Sequence, residues 1–198
     1  MTEPEPDETL VRRHLGGEAG AFAQLVERHE RRMYNVALRM VGRPEDAQDA
    51  TQDAFLTALR KLDQFRGEAA FSTWLHRVTV NACYDLLRKR ARSPMLHVVG
   101  TGEDAPQPEA PPTPDHAEGV AVRADVEGAL AEIPMDFRTV VVLHDLQDLA
   151  YEEIAAILGV PVGTVKSRLH RGRIAFARAM GISPREPEGR TEASETQP

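Results

Sequence analysis

The chain has 198 residues, 41% of them hydrophobic, and a formal charge of −7. That length supports one large or two small cores, and the negative balance excludes a protein that coats nucleic acid indiscriminately, because non-specific affinity comes from neutralising phosphates. A single cysteine, Cys83, excludes an intrachain disulfide and a multi-cysteine zinc site, and the acidic MTEPEPDETL start with no long apolar run predicts a cytoplasmic protein without membrane insertion.

Residues 1–9 read as a disordered acidic start. Leu10, Val11, His14 and Leu15 then have the spacing of a short amphipathic helix, ended by Gly16 and Gly17. From Ala19 onward, Phe22, Leu25, Val26, Met33, Val36, Ala37 and Met40 recur at helical steps, with Glu27, Arg28, Glu30, Arg31 and Arg32 on a charged back. Gly42 and Pro44 close that helix. The next begins around Pro44 to Asp46 and runs to about Leu62, turning Ala50, Ala54, Phe55, Ala58 and Leu62 inward. Asp46, Asp49, Gln52 and Asp53 are left as an acidic outer patch, by default a solvated face with acids well placed near a helix N-terminus.

Asp63 to Ala70 breaks the periodicity, and FSTWLHRVTVNACYDLLRKRAR resumes it to about Arg92, with Phe71, Leu75, Val78, Ala82 and Leu86 as the core stripe. Roughly 120° around the helix stand Arg77, Asn81, Tyr84 and Arg88. Cation, amide and aromatic together suit opened or single-stranded nucleic acid, where bases stack on rings and amides read their edges. Taken alone, the stripe reads as ordinary surface. Trp74 falls between the stripes and reads as core, as does Cys83.

Ser93 to Glu118 is rich in proline and acid and nearly free of periodic apolar residues, which makes it a flexible linker. Residues 120–133 read as a helix, and Pro134 and Asp136 open another through Phe137, Val140, Val141, Leu143 and His144. Beyond Gly181 the polar tail, 181–198, is expected to be disordered.

Between these, Tyr151 to Met180 is the most informative stretch. Ile154, Ala155 and Leu158 have helical spacing, Gly159 is a left-handed C-cap, and Pro161 opens a second helix. Val165, Leu169, Gly172 and Phe176 share one face of it, while Lys166, Ser167, His170 and Arg171 point away. Ala155 is small enough to let the second helix approach closely. From Pro161 to Met180 the bases are Lys166, Arg168, Arg171, Arg173 and Arg178, with no acid among them. Helix, tight turn and basic helix form the unit that lays a recognition helix in the major groove. The bland alternative is a helical hairpin with a solvated basic face. The fold class is therefore all-α, with two small helical domains, 10–92 and 119–180, joined by the flexible acidic linker 93–118.

Taken together these segments resemble the sigma-70 family of bacterial RNA polymerase sigma factors, in the compact extracytoplasmic-function (ECF) group. DAQDATQDAF is similar to the family's core-polymerase docking helix, FRGEAAFSTWLHRVTVNACYDLLRKR to its minus-ten segment, and YEEIAAILGVPVGTVKSRLHRGR to its minus-thirty-five reader. The likeness covers about residues 10–180 outside the linker. It implies that Asp46, Asp49, Gln52 and Asp53 meet the β′ clamp coiled coil of core RNA polymerase, with the β flap as a further contact. It implies that the loop carrying Phe65, Arg66, Gly67, Glu68, Ala70 and Phe71 takes a base flipped out of the minus-ten element. Trp74, Arg77, Asn81, Tyr84 and Arg88 would hold neighbouring bases and backbone. Thr164, Lys166, Ser167, Arg168, His170 and Arg171 would contact the minus-thirty-five element. Promoter DNA, core polymerase and an anti-sigma factor are the implied partners, with no catalytic residue, metal or cofactor.

Two positions depart from the family pattern. Ala150 stands where Ser or Thr usually caps the first helix of the helix-turn-helix and pairs with Glu153 in a capping box. Thr51 stands where a larger aliphatic residue is commoner. The linker passes an independent check: its roughly 26 residues reach at most about 85–90 Å, and elements about 25 base pairs apart are separated by roughly 85 Å. Free protein is expected to bind promoter DNA weakly, because linker and tail repel phosphate and cover the basic helix until polymerase holds the modules apart. A stand-alone regulator and a nucleic-acid enzyme using Asp85, His144, Asp145 or Asp148 are the rival readings. No dimerisation coiled coil, diagnostic ligand spacing or phosphate-cradling glycine loop supports them.

Overall fold

The computed structural model describes residues 5–92 and 125–182. They form α1 (Asp7–Leu15), α2 (Ala19–Val41), α3 (Pro44–Arg60), a 3-10 turn (Leu62–Gln64), α4 (Phe71–Arg92), a helical stretch at 125–132 (α5), α6 (Met135–Asp145), α7 (Tyr151–Leu158) and α8 (Val162–Ala179), with no strand among the described residues. The chain is all-α, as its periodicity predicts. The linker 93–118 and all of the tail past Ile182 lie outside the described residues.

The first helix starts at Asp7, earlier than its apolar spacing predicts, so residues 7–9 are helical and not disordered. Charge sets this start. Asp7 and Glu8 lie in the first turn, where the helix dipole favours acids, and the Asp7 carboxylate meets His29 Nε2 at 2.7 Å and Arg28 Nη1 at 2.5 Å.

Helices α1 to α4 close over Leu10, Leu25, Met33, Phe55, Leu62, Phe71 and Leu75. Each of these large side chains contributes about 1.5–3 kcal/mol when fully withdrawn from water. A second apolar cluster does not stop at the module boundary. Val36, Ala37 and Met40 of α2 and Val80 and Cys83 of α4 join Leu130, Ile133, Val140, Val142, Leu143 and Ile154. Cys83 is the buried hydrophobe expected, its thiol pushed up to about 12 by burial.

This shared core corrects the stripe expected on α4. Phe71 and Leu75 are buried, but Val78, Ala82 and Leu86 are only half-buried, while Thr73, His76, Thr79, Val80 and Cys83 are fully covered. The helix packs on α2 and α3 on one side and on α7 on the other, so its buried arc is wider than one stripe and rotated. Both threonines are satisfied: Thr79 Oγ1 donates to Leu75 O at 3.0 Å, and Thr73 Oγ1 donates to Glu153 Oε1 at 3.1 Å.

Polar contacts run along the same seam. Beyond α6, Asp148 takes a left-handed conformation (φ 56°) and the Leu149 N–H returns to Leu143 O at 3.1 Å. Gln147 is thereby buried beside α2, where Arg32 donates to its side-chain oxygen and to its carbonyl, both at 2.9 Å. Arg32 stays exposed on the charged back of α2, as its spacing predicts, but its guanidinium is engaged by Gln147. Arg138 donates to Met40 O at 2.7 Å and to Ile133 O at 3.0 Å, tying α6 to the C-terminal end of α2. It bonds carbonyls and no carboxylate among the described residues, and burial lowers its pKa.

Candidate nucleic-acid interface

The helix-turn-helix is built as its residues predict. Gly159 closes α7 in the left-handed region (φ 65°), where a Cβ would be strained. Ile154, Ile157, Val165, Leu169 and Gly172 are the buried face of α7 and α8. A close approach between α8 and α6 falls at Gly172. A Cβ at Gly172 would lie 2.6 Å from Val141 Cγ2 and 3.0 Å from Phe137 O, so α8 can lie flat on α6 only with glycine there.

On the opposite face Lys166, Ser167, His170 and Arg171 are exposed and Thr164 is half-buried. Ser167 Oγ donates to Thr164 O at 3.0 Å. Lys166 Nζ sits 5.6 Å from the Tyr151 ring centroid, close enough for a cation–π attraction that orients it. Arg173 is held by both oxygens of Asp145, a bond that raises its pKa. Lys166 and Arg171 make no ion pair among the described residues. Arg168 does: its Nη2 meets Asp136 Oδ2 at 3.2 Å.

The second surface is an open groove of about 1050 Å³ between α3 and α4. Asp49, Gln52 and Asp53 line one wall, and Trp74, Arg77, Asn81 and Arg88 the other. Asp46 departs from its expected outward position. It is 3% exposed and its carboxylate meets Arg90 of α4. The reason is its period: Asp46, Ala50 and Ala54 step by one helical turn, so Asp46 shares their inner face. Thr51 is buried as well, its hydroxyl donating to Ala47 O at 2.6 Å. Beside it a smaller apolar hollow of about 620 Å³ is lined by Val26, Tyr34, Phe55, Leu56 and Leu59, and Gln52 borders both hollows. Leu56 and Leu59 remain 47% and 40% exposed, a feature the sequence pattern did not single out.

In the loop between the 3-10 turn and α4, Arg66, Gly67, Glu68 and Ala70 are exposed, with Gly67 at φ 71°. Phe65, Phe71 and Trp74 pack together with ring centroids 5.6–5.7 Å apart. Phe71 is 1% exposed, so it supports the loop from below instead of facing a base. Trp74 is half-buried, part core and part groove wall.

Tyr84 does not share the groove with Arg77, Asn81 and Arg88. It turns to α6, its hydroxyl 3.2 Å from Asp136 Oδ1 and 3.2 Å from Thr139 Oγ1. Thr139 commits its own proton to Met135 O at 2.8 Å, so the single Tyr84 proton is shared between those two acceptors. Burial raises the Tyr84 pKa. Glu153 makes its half of the expected capping box, its Oε2 accepting from the Ala150 N–H at 2.9 Å, while Oε1 takes the Thr73 hydroxyl, a contact between modules that spacing does not reveal. Ala150 has no oxygen to complete the capping box, so only half of it exists.

Residues 25–93 match the family described as Sigma-70 region 2, and residues 123–176 match Sigma-70, region 4. The chain is 39% identical over 175 residues to the ECF RNA polymerase sigma factor SigM of Mycobacterium tuberculosis, covering 88% of this chain and 85% of that protein. It is 35% identical over 187 residues to the ECF RNA polymerase sigma-E factor of Escherichia coli, covering 89% and 95%. Its fold is similar to the sigma factor RpoE solved in complex with the anti-sigma factor NepR from Bartonella quintana, with a TM-score of 0.64, 24% identity, and coverage of 82% of this chain and 98% of that one. No helix among the described residues is long and apolar enough to cross a membrane. With both sigma regions matched and near-full-length relatives of one kind, the chain belongs to the ECF group of the sigma-70 family and is a non-enzymatic factor that directs RNA polymerase in transcription initiation.

Proposed function

We propose that two modules, 10–92 and 119–180, divide promoter recognition between them, joined by the linker 93–118. On the first, Asp49, Gln52 and Asp53 dock the β′ clamp coiled coil, and the apolar hollow at Leu56 and Leu59 extends that docking surface past Gln52. Asp46 acts beneath it, orienting α3 through Arg90. The exposed loop residues Arg66, Gly67, Glu68 and Ala70 take a flipped minus-ten base, and Trp74, Arg77, Asn81 and Arg88 hold its neighbours. Phe65 and Phe71 stiffen that loop. On the second module Thr164, Lys166, Ser167, Arg168, His170 and Arg171 read the minus-thirty-five element, and the β flap supports the module from behind. Tyr84 joins the minus-ten set when it leaves α6.

The observation that carries this reading is the groove itself. Its acidic wall and its cation-plus-amide wall stand on adjacent helices, which supports docking and strand capture side by side. The Bartonella relative is held by an anti-sigma factor, which supports the same kind of partner here, in the cytoplasm where polymerase works. Reconstitution with core polymerase on genomic DNA, followed by sequencing of the transcripts, tests the assignment. The expected result is a new set of start sites sharing two spaced elements, abolished by Asp49→Ala with Asp53→Ala. No new RNA would refute it.

A further inference from the structure

We propose that Asp136 is a latch that ties the two DNA-facing surfaces to one another in the free chain, so that neither is complete until the halves part. One oxygen of this carboxylate accepts from Arg168 Nη2 and the other from the Tyr84 hydroxyl, each at 3.2 Å. These partners come from opposite halves of the molecule, Tyr84 from α4 and Arg168 from α8. The latch rests on the reading of both as DNA contacts.

The simpler account is that an acid in the first turn of α6 serves the helix dipole. That account is satisfied by any orientation of the side chain. It leaves unexplained why both oxygens are aimed at residues of other helices. The Asp136 side chain is 55% exposed, so no packing demand holds it there. A carboxylate offers a guanidinium the same planar, anionic acceptor that a phosphate does. Asp136 therefore occupies Arg168 much as a DNA backbone would, and the same carboxylate accepts the Tyr84 proton.

The other contacts along the seam differ in kind. Arg32 with Gln147, Thr73 with Glu153, and Arg138 with Met40 O join the halves without using any residue of the proposed DNA set. They set how firmly the halves hold. Asp136 makes holding and DNA contact mutually exclusive, and polymerase docking or a tightly bound promoter would both release it.

The test uses the full chain and a fluorescent minus-thirty-five duplex taken from the start sites found with core polymerase. Asp136→Ala is expected to tighten binding by the free chain about three-fold, the size that an exposed ion pair and one hydrogen bond support. Asp136→Asn, which keeps an acceptor for Tyr84 but loses the charge, is expected to give a smaller gain; it also guards against a folding defect at the alanine. Affinity within the holoenzyme stays unchanged, because the halves are already apart. Glu132→Ala, an acid on the same module with no partner along the seam, gives no comparable gain. An unchanged free chain, an equal gain in the holoenzyme, or an equal gain from Glu132→Ala each overturns the latch. Arg168→Ala in the holoenzyme separates the two levels: if it leaves duplex affinity intact, the DNA assignment of Arg168 has failed. If it weakens binding while Asp136→Ala does nothing to the free chain, only the latch has.

Discussion

The helix-turn-helix and the α3–α4 groove present nucleic-acid chemistry in opposite ways. On α8 the exposed bases follow from one helix and its period, and every cation there belongs to the same element. In the groove each wall comes from a different helix and the lining carries charges of both signs, Asp49 and Asp53 on one wall, Arg77 and Arg88 on the other. A duplex reader needs only a face. A site that docks a protein and holds opened strands needs two walls, and so depends on how α3 and α4 pack.

If packing beneath α4 is what makes the groove, acid should damage it first. His76 is wholly buried, donates Nδ1–H to Ser72 O at 2.7 Å, and so keeps its unprotonated Nε2 without a partner among the described residues. Burial lowers its pKa to about 4, opposed mainly by the hydrogen bond to Ser72 O, with Arg32 and His29 pushing further down and Glu153 back up. The unfolded chain binds this proton more readily than the folded one. His76 therefore favours the fold fully above about pH 6.5, and that contribution fades as pH falls towards 4, by about 3 kcal/mol in all. Urea titrations of the wild type and His76→Gln at several pH values check this. Equal pH slopes in the two proteins would show that His76 is not the group responsible.

The helix-turn-helix has its own weak point. Gly172→Ala is expected to cost about 1–3 kcal/mol by overpacking, because the new methyl meets Val141 Cγ2 and a backbone carbonyl that cannot withdraw. It lowers the urea midpoint and duplex binding while core polymerase still docks on the first module. An unaltered midpoint would mean that α6 and α8 separate freely.

At the surfaces the contrast turns functional. Arg171→Ala is expected to weaken minus-thirty-five duplex binding by the holoenzyme by about 1–3 kcal/mol if it reaches a base. An equal loss on scrambled DNA would make it a phosphate contact. Asn81→Ala is expected to leave duplex binding unchanged and to slow promoter opening, followed by permanganate reactivity of unpaired thymines. Loss of duplex binding instead would place Asn81 outside the groove's single-strand work.

How much of this could be read beforehand follows the same divide. Gly159, Pro161 and the exposed face of α8 obey rules that act within a single turn or helix, and they lie where spacing puts them. Asp46 obeys such a rule too, but its charge points to the surface while its period, shared with Ala50 and Ala54, points inward. On α4 the hydrophobic pattern underrates Thr73, Thr79 and His76, small or polar residues that two-sided packing buries; Thr79 and His76 Nδ1 bond carbonyls one turn back, and Thr73 bonds Glu153 of the other module. The bonds of Arg32 to Gln147 span 115 residues, and no periodicity carries that distance. Tyr84 lies on α4 where its spacing puts it, yet its hydrogen-bond partners belong to α6.

The smallest expected effect lies where the two surfaces meet. Glu153 already accepts from the Ala150 N–H and from the Thr73 hydroxyl of the first module, so it both caps α7 and holds the seam. Ala150→Ser would supply the missing oxygen to the Glu153 N–H and complete the capping box, stabilising the chain by about 0.5–1 kcal/mol. The extended backbone at position 150 (φ −67°, ψ 157°) already suits serine, so no rearrangement is needed. Because Glu153 also grips Thr73, a better-ordered α7 should tighten the seam and lower the free chain's affinity for duplex DNA slightly. Thr73→Val would separate these consequences, keeping the cap and losing the grip. A gain in stability from Ala150→Ser that survives in the Thr73→Val background, with the effect on DNA binding gone, would show that α7 is stabilised locally and coupled to the first module through this one hydroxyl.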